Sequence, residues 1–381
     1  MGYPSAVCPG APDAFAMSPF TLLLGSNRHV LRRTIGLAAL ALVSTPMGTA
    51  APATARYRVI REATPDGQFL VLRDETAEVE AVVAPGFGAE LTSLRCTVRG
   101  RWQELLYRAR DYRATDGWRG KAPILWPAIA RNFPKDMKVD LNSQECAYDF
   151  RGHRYPIPIS GFVRNMAWNV VRSQADDGGV IVELTLSDSA ETRAQYPFSF
   201  RLEVTYRLQE GRLEMLHRVV AGANNDAVMF FSIGNHMTFR MPLVDGSDVK
   251  TIQLETPSTI EHLKDDATLP TGEQRARSFR AAARVVDLQF VPAISLGGYT
   301  GDPWLRLTDP AGLALRITHH ADSLPPEPLV QFNIWGRPGD GYLSPEPVVG
   351  LQNSLNLRQG LIELSPGNAW SWRVWIDLER R

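Results

Sequence analysis

The chain reads as an all-β protein, one large antiparallel β-sandwich, on three observations. Apolar and polar residues alternate strictly over several runs, as in Phe198, Phe200, Leu202, Val204, Tyr206 and Leu208 set against Ser199, Arg201, Glu203, Thr205 and Arg207. Period two is the spacing of a strand with one buried face, because successive side chains point to opposite sides. Turn-forming residues recur at short intervals, and no stretch of real length repeats apolar residues at helical spacing. A dozen or more short strands must bury their apolar faces against one another, which is sheet packed on sheet. A β-propeller would need a repeat of about 40–50 residues, and none is visible.

Residues 1–55 are expected to lie outside that fold. Arg28, Arg32 and Arg33 precede the apolar run Ile35–Val43, and small residues follow at Thr49-Ala50-Ala51 and Ala53-Thr54-Ala55. This is the order of an export signal with A-x-A-like cleavage sites, and Arg32-Arg33 is compatible with the twin-arginine type. The apolar run falls short of the roughly 20 residues of a bilayer span. The expectation is a periplasmic or secreted mature protein with no membrane span; the alternative is a disordered tail. The whole chain carries 41 basic and 41 acidic residues. Near-neutral charge argues against nucleic acid or an anionic membrane as the main partner. Cys8 falls in the expected signal, leaving Cys96 and Cys146, with no C-x-x-C pair to suggest structural zinc.

From 56 to 381 no Pro/Ser/Gly linker divides the chain, so a single sandwich domain is expected. Strands are predicted at Val180–Leu186 and from Phe198 to Leu208, the latter returning through Gln209-Glu210-Gly211 into Leu213–Leu216 as a hairpin. Further strands are expected at Leu313–Ile317 and Trp370–Leu378, where Trp370, Trp372, Val374 and Ile376 share one face. Pro325-Pro326-Glu327-Pro328 is read as a loop between strands.

Of seven histidines, most have bland settings. His153 sits in a turn, His217 reads as an exposed strand residue, and His262 has no distinguishing context. His319 and His320 must point to opposite faces of one strand, which disfavours a shared metal. His236 differs. A hydrophobic strand, Val228–Ile233, runs into Gly234-Asn235-His236, where glycine permits the close approach of a ligand or another backbone. A core or surface histidine is the competing reading. The carboxylate candidate is Glu346, held between Pro345 and Pro347; proline stiffens its own φ and restricts the residue before it. An ordinary turn is the alternative, and Glu327, also in Pro-Glu-Pro, is a decoy. Arg131 follows the apolar Pro123–Pro127 run, and its guanidinium fork suits paired hydroxyls or a phosphate, although a surface ion pair would explain it too. Trp126 or Trp118 would stack on the flat face of a ligand or simply fill the core.

The segment Trp118-Arg119-Gly120-Lys121-Ala122-Pro123-Ile124-Leu125-Trp126-Pro127, with Arg131 after it, then Tyr155 to Gly161-Phe162-Val163-Arg164, resembles the aldose 1-epimerase (galactose mutarotase-like) family. Ser232, Gly234, His236 and Phe239 match the family's S-x-G-x-H-x-x-F segment, and Glu346-Pro347 matches its late E-P segment. The resemblance implies an oversized sandwich and an enzyme that interconverts the anomers of an aldose, with Glu346 as base, His236 as acid and no cofactor. It makes Arg131 and Arg164 substrate-binding candidates. The family usually has histidine before Gly-Phe-x-Arg; here the position is Ser160, a shorter group that still hydrogen-bonds a hydroxyl. Two rivals stay open: a carbohydrate-binding protein without turnover, favoured by Ser160, and a polysaccharide-acting protein on the same fold. A phosphorylated sugar would call for further cations lining the cleft.

Overall fold

Strands carry nearly all the regular structure of the computed structural model, which describes residues 55–107 and 121–380. The expected export segment and Trp118 lie outside the described residues. A five-stranded sheet runs as a meander in chain order from Tyr57–Thr64 to Arg101–Glu104. A nine-stranded sheet places Ala369–Arg380 between Arg212–Ala221 and Leu313–Ala321. An eight-stranded sheet places Tyr342–Gly350 between Val330–Arg337 and Ile233–Asn235, with Ile124–Leu125 at one edge. The ladders are antiparallel. Helix is confined to single turns such as Ala190–Arg193, capped by Ser189, and no helix among the described residues is long and apolar enough to cross a membrane.

The predicted periodicities have direct counterparts. Phe200–Gln209 buries every second residue and pairs with Arg212–Ala221 from Phe200↔Ala221 to Gln209↔Arg212. Glu210 and Gly211 between them both have positive φ, 51° and 75°. A two-residue turn of that kind matches the right-handed twist of the strands it joins. Trp370, Trp372, Val374 and Ile376 are all buried on one face of Ala369–Arg380.

The nine- and eight-stranded sheets meet through this face. The imidazole of His319 donates through Nε2 to the carbonyl of Gln331 at 2.8 Å and accepts at Nδ1 from the Trp372 indole at 3.1 Å. These two bonds determine a neutral tautomer, and burial pushes the group's pKa down to about 4. His320, on the opposite face, is exposed and pairs with Asp302 at 2.7 Å. His217 corrects the expectation of an exposed strand residue. It is buried, its ring lies 4.9 Å from that of Trp372, and burial lowers its pKa to about 4. Its neighbours Leu216 and Arg218 are only half-buried, but it shares its face with Met215 and Val219, which point into the sandwich. Cys96 and Cys146 are both buried and free.

Candidate active site

Gly234 sets the site. A Cβ there would meet Cγ1 of Val348 at 2.7 Å, so only glycine lets Ile233–Asn235 press this closely onto Tyr342–Gly350. The two strands pair as Ile233↔Val349 and Gly234↔Val348. Continuing an antiparallel ladder two residues along each strand returns to the same face and brings His236 opposite Glu346. His236 Nε2 lies 3.2 Å from Glu346 Oε1, with both side chains about 8% exposed. The other ring nitrogen sits 3.3 Å from Thr238 Oγ1, which in turn takes a hydrogen bond from Ser344 Oγ at 2.8 Å. The imidazole is thus held from both sides.

The row extends across the sheet. Asn333 pairs with Glu346, Ser295 with Asn333, and His262 with Ser295, all of them buried. Ser295 Oγ donates to Asn333 Oδ1 at 2.7 Å. Two residues beyond Asn333 on the same face stands Trp335, whose ring is 5.7 Å from that of His236 and nearly edge-on to it. Asn333, Trp335, Lys264, His236 and Glu346 line one cleft of about 350 Å³, together with Arg131 and Ser160. A volume near the small end of ligand pockets suits a monosaccharide.

Burial dominates the electrostatics. It lifts Glu346 to about 8, against the opposing pull of the Lys264 ammonium. It lowers His236 to about 4, and the positive charge of Arg164 acts in the same direction. Each shift disfavours a charge held away from water. Since the two groups are in contact, the useful quantity is their joint proton count, which is one across the neutral range.

The sequence-predicted residues do not all arrive at the cleft. His236, Glu346, Arg131 and Ser160 do. Arg131 donates from Nη2 to the Leu141 carbonyl at 2.7 Å, and Ser160, at φ 60°, donates its backbone N–H to Ala130 at 2.9 Å. Arg164 is half-buried and reaches the Ile159 carbonyl at 3.4 Å; it lies near the buried Lys121–Glu90 pair (3.1 Å), where burial raises Glu90 to about 7 and the charges of Lys121 and then Arg164 oppose that rise. Trp126 is a correction. It is fully buried among Phe162, Tyr196, Phe200 and Phe231, with ring centroids 4.5–6.0 Å away, and takes no part in the cleft. A tryptophan that directly follows an apolar Pro-Ile-Leu run has the composition of core, and core it is. The decoy Glu327 is exposed, bonds the Leu329 N–H at 2.7 Å and stays outside the cleft lining.

Sequence reading missed Asn333, Trp335 and Lys264. Asn333 and Trp335 carried a signal, since residues i and i+2 in Gln331-Phe332-Asn333-Ile334-Trp335 must share a face. Lys264 carried none; only the pairing of strands distant in sequence brings it in. Among the described residues no group of three or more His, Cys, Asp or Glu side chains is arranged to hold a metal ion.

The family model for aldose 1-epimerase matches residues 71–291, more than half of the chain. That span includes His236, and Glu346 lies beyond it. The fold is similar to that of the Slr1438 protein from Synechocystis sp. PCC 6803, at 24% identity over 87% of this chain and 100% of that one, with a TM-score of 0.64. It is also similar to a galactose mutarotase-like protein from Clostridium acetobutylicum (18% identity, 86% and 99% coverage, TM-score 0.67). A galactose 1-epimerase from Lactobacillus acidophilus NCFM matches at 16% identity, 86% and 99% coverage and a TM-score of 0.61.

Proposed function

We propose that this chain, which belongs to the aldose 1-epimerase family, interconverts the anomers of a free aldose with Glu346 and His236 as its acid–base pair. The observation that carries the reading is the 3.2 Å approach of Nε2 to Oε1 inside a cleft of monosaccharide size. Anomer exchange removes a proton from the C1 hydroxyl and delivers one to the ring oxygen; the ring opens, the C1–C2 bond turns, and closure reverses both transfers. Two groups sharing one proton meet this need, each contributing about 10²–10⁴-fold. In the opening step Glu346 takes the hydroxyl proton as carboxylate while His236 gives one as imidazolium; closing returns both. Burial favours the uncharged form of the pair in the empty cleft, and the nearby Lys264 ammonium offsets this by favouring the carboxylate. Trp335, rather than Trp126, is positioned to lie against a sugar face. Arg131, Ser160 and Asn333 offer hydrogen bonds to hydroxyls.

The test is anomer exchange followed by NMR or polarimetry over a panel of aldoses, in the presence of the mature protein. Acceleration above the buffer rate that is lost in both Glu346→Gln and His236→Ala supports the reading. No acceleration from a folded protein that still binds sugar would shift the case to a carbohydrate-binding role, the reading that Ser160 favours.

The joint proton count sets a pH profile. Below about pH 4 His236 also protonates and the pair lacks a base. Above about pH 8 Glu346 loses its proton and the pair lacks an acid. Activity is therefore expected to be level between these limits and to fall on both sides, a bell that kcat/KM against pH would record. A single limb centred near pH 6.5, the ordinary histidine value, would contradict the shared proton.

The reading includes export, supported by the basic and apolar run of residues 28–43 and the small residues after it. Expression of the whole chain in a Gram-negative host is expected to give a mature protein that begins between about residue 50 and residue 56. Fractionation and N-terminal sequencing measure this, and an uncleaved cytoplasmic product would refute it.

A further inference from the structure

Two cations face the cleft without a salt bridge among the described residues. Lys264 and Arg131 both line it, and among the described residues neither comes within 4.0 Å of a carboxylate oxygen. The remaining described lining is uncharged apart from the Glu346–His236 pair. That pair carries one proton, so its own net charge is zero whichever member holds it. The described lining residues then carry a net charge of two positive. A buried or half-buried cation without a partner is costly, and a binding site keeps such a group when the ligand supplies the counter-charge. A neutral hexose would leave both charges uncompensated on binding and would displace the water that solvates them.

The geometry points to an aldose bearing a carboxylate, a hexuronic acid in chemical class, as the preferred substrate, with Lys264 and Arg131 as its counter-ions. This rests on the acid–base reading of the same cleft and deepens it. The assignment has a basis in size as well as charge. At about 350 Å³ the cleft holds little beyond a single sugar ring, and a carboxylate that replaces a hydroxymethyl group adds charge with almost no volume. The two cations also differ usefully. The Arg131 guanidinium keeps one arm on the Leu141 carbonyl, which orients the remaining donors. Lys264 stands on Ile260–Lys264, whose His262 is already paired into the buried row through Ser295, so its backbone is fixed at the cleft wall. Neither cation was assembled by local sequence; they come from segments 133 positions apart.

The experiment compares galacturonate and glucuronate with galactose, glucose and glucose 6-phosphate by exchange NMR, using the full chain after signal removal, and measures binding of each sugar separately by saturation-transfer NMR. The expected result is a kcat/KM for an acidic sugar at least roughly tenfold above its neutral counterpart, the scale of one charge-assisted hydrogen bond. Lys264→Met is expected to reduce that ratio by a similar factor, and raising the salt concentration to weaken binding of the acid more than of the neutral sugar. Equal or faster turnover of the neutral sugars overturns the carboxylate assignment and leaves the mutarotase reading intact. So does an equal loss on both classes in Lys264→Met, which would make the lysine a positioning residue for Glu346. Faster turnover of a hexose 6-phosphate than of either uronate overturns it in favour of a phosphate site. If no sugar is turned over, selective binding of the uronates, lost in Lys264→Met, still supports the counter-ion pair while the catalytic reading fails; no selectivity ends both.

Discussion

Glu346→Gln is expected to lower kcat for anomer exchange by about 10²–10⁴-fold, the contribution of one positioned acid–base group, with sugar binding retained. The substitution keeps the shape of a buried side chain flanked by two prolines, so the cleft is expected to stay intact. What it removes is the carboxylate in contact with His236 Nε2, a group that can both lose and regain a proton. A glutamine amide donates and accepts hydrogen bonds but does not titrate. The alkaline limb of the pH profile is expected to vanish with the carboxylate, because that limb reports Glu346. Saturation-transfer NMR separates the two effects: bound sugar without exchange is the expected outcome. A variant that stays within threefold of the parent would show that Glu346 is a wall of the cleft and no more. His236→Ala is expected to cost as much. The two losses should not add in the double variant, since groups that share one proton act as a unit.

Gly161→Ala is expected to cost several kcal/mol of stability and to disturb the cleft with it. Gly161 has φ 76°, and a Cβ placed on it would lie 1.9 Å from the Trp126 carbonyl oxygen and 2.3 Å from its carbon. Those are backbone atoms at the centre of the aromatic core, with no flexible side-chain end to swing aside. Overpacking of this kind costs about 1–3 kcal/mol, and the left-handed backbone about 1–2 more for a residue with a Cβ. Against a total stability of about 5–15 kcal/mol for a typical domain, such a loss is large. Gly152→Ala is the control. Its φ is 77°, and a Cβ there meets nothing within 4 Å, so only the backbone penalty applies. Denaturant midpoints for the two variants measure the difference. Equal midpoints would mean that the Ser160–Gly161 turn yields and does not anchor the cleft wall.

Much of this molecule was legible from local pattern. The alternation in residues 200–221 and 369–380 identified strands because a pleated strand shows its two faces at every second residue. Local pattern also marked Gly234 and the proline-flanked Glu346 as unusual, since both restrict or free the backbone within one or two residues. It failed where burial is decided by a distant partner. His217 looked exposed beside Leu216 and Arg218, yet its ring packs against that of Trp372, 155 residues later. Trp126 looked available to a ligand until four aromatic rings from three later segments closed around it.

The catalytic candidates divide along the same line. Residue type and local setting marked His236 and Glu346 as candidates, because proton affinity and backbone stiffness are properties of a residue and its nearest neighbours, and the family resemblance implied their roles as acid and base. Their contact was beyond that reach. It depends on the register Gly234↔Val348, which joins residues 114 apart and, by carrying two residues further, seats a histidine on a carboxylate. Register between strands is a tertiary quantity; a slip of one residue would have turned Glu346 to the opposite face. The perturbed proton affinities follow from the same packing, since burial supplies them and no short sequence contains it. Lys264 is the extreme case. Nothing around it in the chain marks it, and only the order of strands in the eight-stranded sheet places its charge beside the acid–base pair.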